Sequence, residues 1–146
     1  MTASKSQGLQ IFKTLSKSGL KQPLIEGGIA AGFPSPADDF AEVRISLDES
    51  LVKNRAATFY ARVSGESMVD AGLDDGDLLV IDRSLEPKDN KIAVCFIDGE
   101  FTVKRLALKG EQLFLMPENK NYKPIEVTPE NNLLVWGIVT YVIKKV

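Results

Sequence analysis

The stretch Val63 to Asp70, VSGESMVD, carries two serines in a short polar turn behind a strand-like run. A serine hydroxyl is a weak nucleophile until a neighbouring base takes its proton, and the usual base is an imidazole. The chain has no histidine among its 146 residues. If Ser64 or Ser67 reacts, a different group must accept the proton. A neutral lysine can do so. Free lysine titrates near ~10.4, so a lysine that works at about pH 7–8 must lose roughly 4 kcal/mol of its preference for the proton. Burial against apolar surface supplies such a change, because desolvation penalises the ammonium form. The chemistry therefore calls for a lysine inside a strand.

Lys53, Lys88, Lys91, Lys109, Lys120 and Lys123 fall at strand ends or in turns, whereas Lys104 lies in the middle of EFTVKRLAL. Alternation puts Thr102, Lys104, Leu106 and Leu108 on one face of that strand and Phe101, Val103, Arg105 and Ala107 on the other. Each face carries one cation among apolar residues, so periodicity leaves open which is buried. Of the two cations only lysine can serve as a base, since arginine does not deprotonate. Ser64 reads as a structural turn residue. The turn lacks the second glycine of a nucleophile elbow. Cys95, the single cysteine, sits in KIAVCFI and reads as a small buried hydrophobe; it excludes an internal disulfide and multi-cysteine zinc patterns. Asp70, Asp74, Asp75 and Asp77 lack the alternating ligands and terminal glutamate of a calcium loop and read as a solvated acidic turn. Met68 and Trp136 read as core. The residues point to no metal and no cofactor.

These groups need a scaffold, and the scaffold reads as β. ATFYARV, DLLVIDRS, KIAVCFI, EFTVKRLAL, QLFLMP and LLVWGIVTYVI are short runs rich in branched and aromatic residues. Asp75-Gly76, Asp98-Gly99, Lys109-Gly110 and Pro117-Glu-Asn separate them, and Asp98-Gly99 reads as a two-residue hairpin turn. Upstream of about residue 40 the pattern changes. Residues 1–25 hold four lysines and no acid, while residues 26–146 carry a formal charge of −6. Leu9, Phe12 and Leu15 fall at helical spacing, but Gly8, Gly19 and the serines keep any helix short, so this stretch reads as a mobile or loosely packed arm that docks on the acidic body weakly and with salt sensitivity. In EGGIAAGFPSPADDF, Pro34 and Pro36 push Phe33 and Ser35 into extended backbone. Extended chain with small side chains is also the shape that a protease cleft accepts as an added strand. A formal charge of −2 offers no basic face for nucleic acid. No apolar run reaches the ~20 residues of a membrane span, the N-terminus lacks a signal-peptide core, and without arginine it fits a transit peptide poorly. A cytoplasmic protein is expected.

SGESMVDAGLDDGDLLVID, then DGEFTVKRL, then PENKNYKPIEV, occurring in order, closely resemble the C-terminal domain of the LexA/UmuD family of self-cleaving serine–lysine peptidases. AAGFPSPADDF resembles the cleavage segment of that family's UmuD branch. The resemblance covers about residues 30–146. It implies a peptidase domain of twisted, coiled β-sheets with a flexible N-terminal arm, divided into residues 1–40, the arm with its cleavage segment, and residues 41–146, the peptidase and dimerisation domain. By position, Ser67 matches the family nucleophile, Lys104 the general base, and the bond between Ala31 and Gly32 the scissile bond. Alanine stands where UmuD-branch proteins often have cysteine and where LexA has alanine. A LexA repressor would carry a helix-turn-helix domain that 30 residues cannot contain, so no direct sequence-specific DNA binding is expected. The partners implied are a second copy in a homodimer, the RecA–single-stranded DNA filament and a UmuC-type translesion polymerase subunit, in the SOS response. The competing readings are a non-catalytic dimerisation module that binds polymerase or filament, and a type I signal peptidase, against which the missing membrane anchor argues.

Overall fold

The computed structural model describes residues 3–6, 9–13, 20–25 and 42–146. The chain forms two compact units, one of residues 1–15 and 54–146, the other of residues 16–53. The smaller unit holds a two-stranded antiparallel sheet, β3 (Lys21–Ile25) against β4 (Glu42–Ser46). A short helix follows, α1 (Leu47–Leu51), capped where the Glu49 N–H donates to Ser46 Oγ.

The larger unit is one antiparallel sheet of nine strands. In chain order these are β1 (Ala3–Ser6), β2 (Leu9–Lys13), β5 (Thr58–Val63), β6 (Leu78–Asp82), β7 (Ile92–Ile97), β8 (Glu100–Lys109), β9 (Gln112–Met116), β10 (Ile125–Val127) and β11 (Leu134–Ile143). In space the order is β1-β2-β5-β6-β11-β7-β8-β9-β10. The six runs expected as strands are β5 to β9 and β11. Asp98 and Gly99 both take positive φ between β7 and β8, as a two-residue turn that follows strand twist requires. The mostly β fold expected from the sequence is the fold observed.

Strand β7 shows why so many strands hold together. Val94 packs into a core with Leu9, Ala61, Leu79, Ile81 and Val103, while Ala93, Cys95 and Ile97 pack into a second core with Leu106, Leu115 and Ile138. Since neighbouring residues point to opposite faces, the sheet is buried on both sides here, and IAVCFI, Ile92–Ile97, is uniformly apolar for that reason. Strand β11 lies between β6 and β7 and shifts register at Val135/Gly137 and at Val139/Tyr141. Such bulges bend a strand and increase its twist, which lets the sheet curl round two cores.

Leu9–Lys13 is a strand rather than one turn of helix. It pairs with β5 from Leu9↔Val63 to Lys13↔Phe59, and Leu9 and Ile11 are buried in the first core. The contact is backbone and apolar, not the weak electrostatic docking expected of a basic arm. Leu9 and Ile11 satisfy a strand's alternation as well as Leu9, Phe12 and Leu15 satisfy a helix's, and pairing with a distant strand decides between the two. Trp136 meets Phe59 and Phe101 edge to face and carries Arg83 over its ring at 4.3 Å, so it packs as expected. The acidic turn is not simply solvated. Asp77 is buried, accepts the Asp74 N–H at 2.8 Å and pairs with Lys144. Burial alone would raise its carboxyl, but Lys144 and the Asp74 N–H outweigh that and hold it below its ordinary range.

Two outcomes follow from this packing. A Cβ at Gly137 would stand 2.5 Å from Ile81 Cγ2, a core side chain with no exposed surface. Gly137→Ala is expected to destabilise the fold by about 1–3 kcal/mol, the usual cost of overpacking, read as a lower urea midpoint with unchanged slope. Burial pushes the Cys95 thiol up to about 12, so a disulfide reagent at neutral pH should leave the native protein unmodified and titrate one thiol once guanidinium unfolds it.

Candidate active site

Strand β5 ends at Val63, and the chain turns through Ser64 to Met68 before a single 3-10 turn at Val69–Ala71. Gly65 makes the turn possible, with φ of +98°, a backbone conformation that side chains with a Cβ rarely adopt. Its N–H donates to Asp75 Oδ1 at 2.8 Å, and the backbones of Val63 and residues 76–77 bond to one another on either side. Met68 is buried in the first core and anchors the far end, as expected of it. A cleft of about 390 Å³ opens beside the turn, with Ser67, Thr102, Lys104 and Tyr122 in its wall.

Strand β8 brings Lys104 to this cleft. Lys104 pairs with Ala93 and Thr102 with Cys95, and both of these β7 partners are fully buried. Lys104 retains only 8% of its accessible surface. Its Nζ lies 2.9 Å from Ser67 Oγ, 2.7 Å from Thr102 Oγ1 and 3.1 Å from the Val103 carbonyl oxygen. The two residues singled out in the sequence, 37 positions apart, are thus in direct hydrogen-bond contact. Ser64 also lines the cleft, but no hydrogen bond joins it to Lys104 among the described residues.

Desolvation pulls the Lys104 amine below its ordinary value. A Cys95 thiolate would oppose this, but the same burial keeps the Cys95 thiol neutral until about 12. Among the described residues no carboxylate forms an ion pair with Lys104. The three neighbours fit a neutral amine, which has two N–H donors and one lone pair. The Val103 carbonyl can only accept; the Thr102 hydroxyl can accept the second N–H of a neutral amine, whose lone pair would then face the Ser67 O–H, while an ammonium would donate to all three. Ser67 and Lys104 are so placed that a proton could pass directly from the hydroxyl to a neutral amine.

Sequence reasoning placed Thr102 on the Lys104 face but gave it no role; spacing alone cannot show that the two side-chain ends meet. It also missed what holds the turn from outside. The Glu118 N–H donates to the Ser67 carbonyl at 2.8 Å, the Asp70 N–H to the Glu118 carbonyl at 2.8 Å, and Asn119 Nδ2 to the Glu66 carbonyl at 2.8 Å. PENKNYKPIEV contained the signal, though nothing local in it says which turn it contacts. Ala31 and Gly32, expected as the scissile pair, lie outside the described residues.

The family model described as Peptidase S24-like matches residues 23–140. Protein ImpA of Salmonella typhimurium is 44% identical over 124 residues, covering 85% of this chain and 84% of its own length. Protein MucA of Escherichia coli is 45% identical over 114 residues, covering 77% of each chain. LexA repressor 2 of Pseudomonas syringae pv. tomato is 32% identical over 145 residues, covering 99% of this chain and 71% of its own. The resemblance read from the serine turn and the lysine strand is borne out by matches that run well beyond those motifs. The chain belongs to the Peptidase S24-like family, the LexA/UmuD-type peptidases.

Proposed function

We propose that this protein is a serine endopeptidase that cuts its own chain between Ala31 and Gly32. The observation that carries this reading is the buried Lys104 amine, 2.9 Å from Ser67 Oγ and without an ion-pair partner among the described residues. Ser67 Oγ attacks the Ala31 carbonyl carbon as its proton passes to the Lys104 lone pair. Lys104 then protonates the Gly32 nitrogen as the peptide bond breaks, leaving an ester between Ser67 and Ala31. Water, deprotonated by Lys104, hydrolyses the ester and frees Ser67. The Ser67 backbone N–H, which has no protein acceptor among the described residues, is the donor for the oxyanion. Glycine after the cut leaves the approach open, and the small Ala30 and Ala31 suit a shallow cleft.

The substrate is tethered, so its effective concentration is of millimolar order and each chain reacts once. Such a reaction needs a brake, and the family resemblance points to release of that brake by the RecA–single-stranded DNA filament during the SOS response. Cleavage would separate β1 and β2 covalently from the body. When they leave, the edge of β5 and the core beneath Leu9 and Ile11 are uncovered. The product, residues 32–146, would act as a homodimer and as the accessory subunit of a UmuC-type error-prone translesion polymerase, in the cytoplasm and without metal or cofactor. Among the described residues no helix is long and apolar enough to cross a membrane.

The test is intact mass of the purified chain incubated from pH 7 to 10, with and without activated filament. Fragments 1–31 and 32–146 are expected from the wild type, and neither from Ser67→Ala nor Lys104→Met. Because burial lowers Lys104, the neutral base is present above its folded value and is lost as pH falls through it. The rate should rise with pH and level off below the ordinary lysine value of about 10.4. A chain that stays whole throughout, with filament present, would make the non-catalytic binding module the better account.

A further inference from the structure

The turn that carries Ser67 is short, irregular and dependent on a glycine, which leaves its position to be fixed from outside. Three bonds do so from one place. The Ser67 carbonyl accepts from the Glu118 N–H, the Glu118 carbonyl accepts from the Asp70 N–H, and the Glu66 carbonyl accepts from Asn119 Nδ2. Glu118 is in turn paired with Arg105 Nε at 2.5 Å, and Arg105 also donates to the Asn90 carbonyl at 2.8 Å. Arg105 follows Lys104 on β8. A continuous chain of contacts therefore runs from the strand of the base, through Arg105, Glu118 and Asn119, to the backbone of the nucleophile. It is separate from the direct Lys104–Ser67 hydrogen bond.

We infer that Asn119 and the Arg105–Glu118 pair are positioning residues for self-cleavage, setting where Ser67 Oγ stands relative to Lys104 Nζ. This rests on the self-cleavage reading above. Arg105 and Glu118 keep 28% and 32% of their side-chain exposure, and an ion pair so placed contributes little to stability. Its position gives it a different effect, because displacing a reacting group by about 1 Å can slow a reaction by about 100-fold. Glu66 and Ser67 offer only their carbonyls to this brace, so the Ser67 hydroxyl stays available to Lys104.

Asn119 allows a sharp test because its two ends do different things. Nδ2 donates to the Glu66 carbonyl at 2.8 Å, while Oδ1 accepts the Asn121 N–H at 2.9 Å and caps its own turn. Asn119→Asp keeps the cap and replaces the donor with an oxygen facing a carbonyl; Asn119→Ala removes both. The experiment is the self-cleavage rate of the full chain against pH for wild type and both variants, with amide hydrogen exchange across residues 64–70 on the same samples. The expected result is that Asn119→Asp cleaves about 10- to 100-fold more slowly at every pH, with the midpoint of its pH curve unmoved and faster exchange in residues 64–70. Wild-type cleavage by Asn119→Asp alongside a slow Asn119→Ala would overturn the inference and leave Asn119 as a turn cap. A shifted midpoint would also overturn it, because the effect would then run through the proton affinity of Lys104. A wild-type chain that never cleaves sinks the self-cleavage reading instead. In that case the exchange comparison still decides the brace, and unchanged exchange in residues 64–70 overturns it.

Discussion

An amine taken out of water with no carboxylate paired to it among the described residues is held there at a cost, and the rest of this sheet is arranged around holding one. Lys104 has the fully buried Ala93 as its cross-strand partner, with Cys95 next on the same face of β7, and its polar neighbours are two hydroxyls and one carbonyl. An acid within reach would favour the protonated amine. The two cores, one on each face of β7, are what make such a site affordable. A strand exposed on one face would let water back to the amine.

Ser67 has the opposite construction. Lys104 stands in the middle of a ten-residue strand, paired with β7 at Ala93 and next to Arg105, where the β9 ladder begins, whereas Ser67 stands on a turn with no ladder of its own. Its restraints come from segments distant in sequence. Asp75 takes the Gly65 N–H, and residues 118 and 119 take the other side. Lys144 near the C-terminus closes on Asp74 and Asp77, steadying the loop that leads from the serine turn into β6. A strand-borne lysine beside a braced turn fixes the Lys104–Ser67 contact at the wall of an open cleft.

The N-terminal strands add a second layer. Because β2 lies on β5, the strand that leads directly into the Ser67 turn, the segment that the proposed self-cleavage would detach is built into the sheet beside that turn. Leu9 and Ile11 hold it there by burial, a contact that salt does not screen. Under the proposed self-cleavage, cutting the chain and losing the segment would therefore be separate events. The surface that a partner would meet depends on the second.

Much of this was legible in the residues alone. The absence of histidine meant that a reactive serine would need a different base, mid-strand placement singled out Lys104 from six other lysines, and alternation with Gly-containing turns located β5 to β9 and β11. Those features are local, so a linear reading reaches them. Tertiary structure decided the rest. It placed Lys104 within hydrogen-bond distance of Ser67, showed that Thr102 completes the amine's bonding, made Leu9–Lys13 a strand, and set Glu118 and Asn119 against the serine turn. Each of these depends on contacts between segments tens of residues apart. In sequence, one cation on each face of EFTVKRLAL looks like the other. Only the folded sheet assigns Arg105 to a half-exposed ion pair and Lys104 to the dark side of the strand, where desolvation can remove its proton.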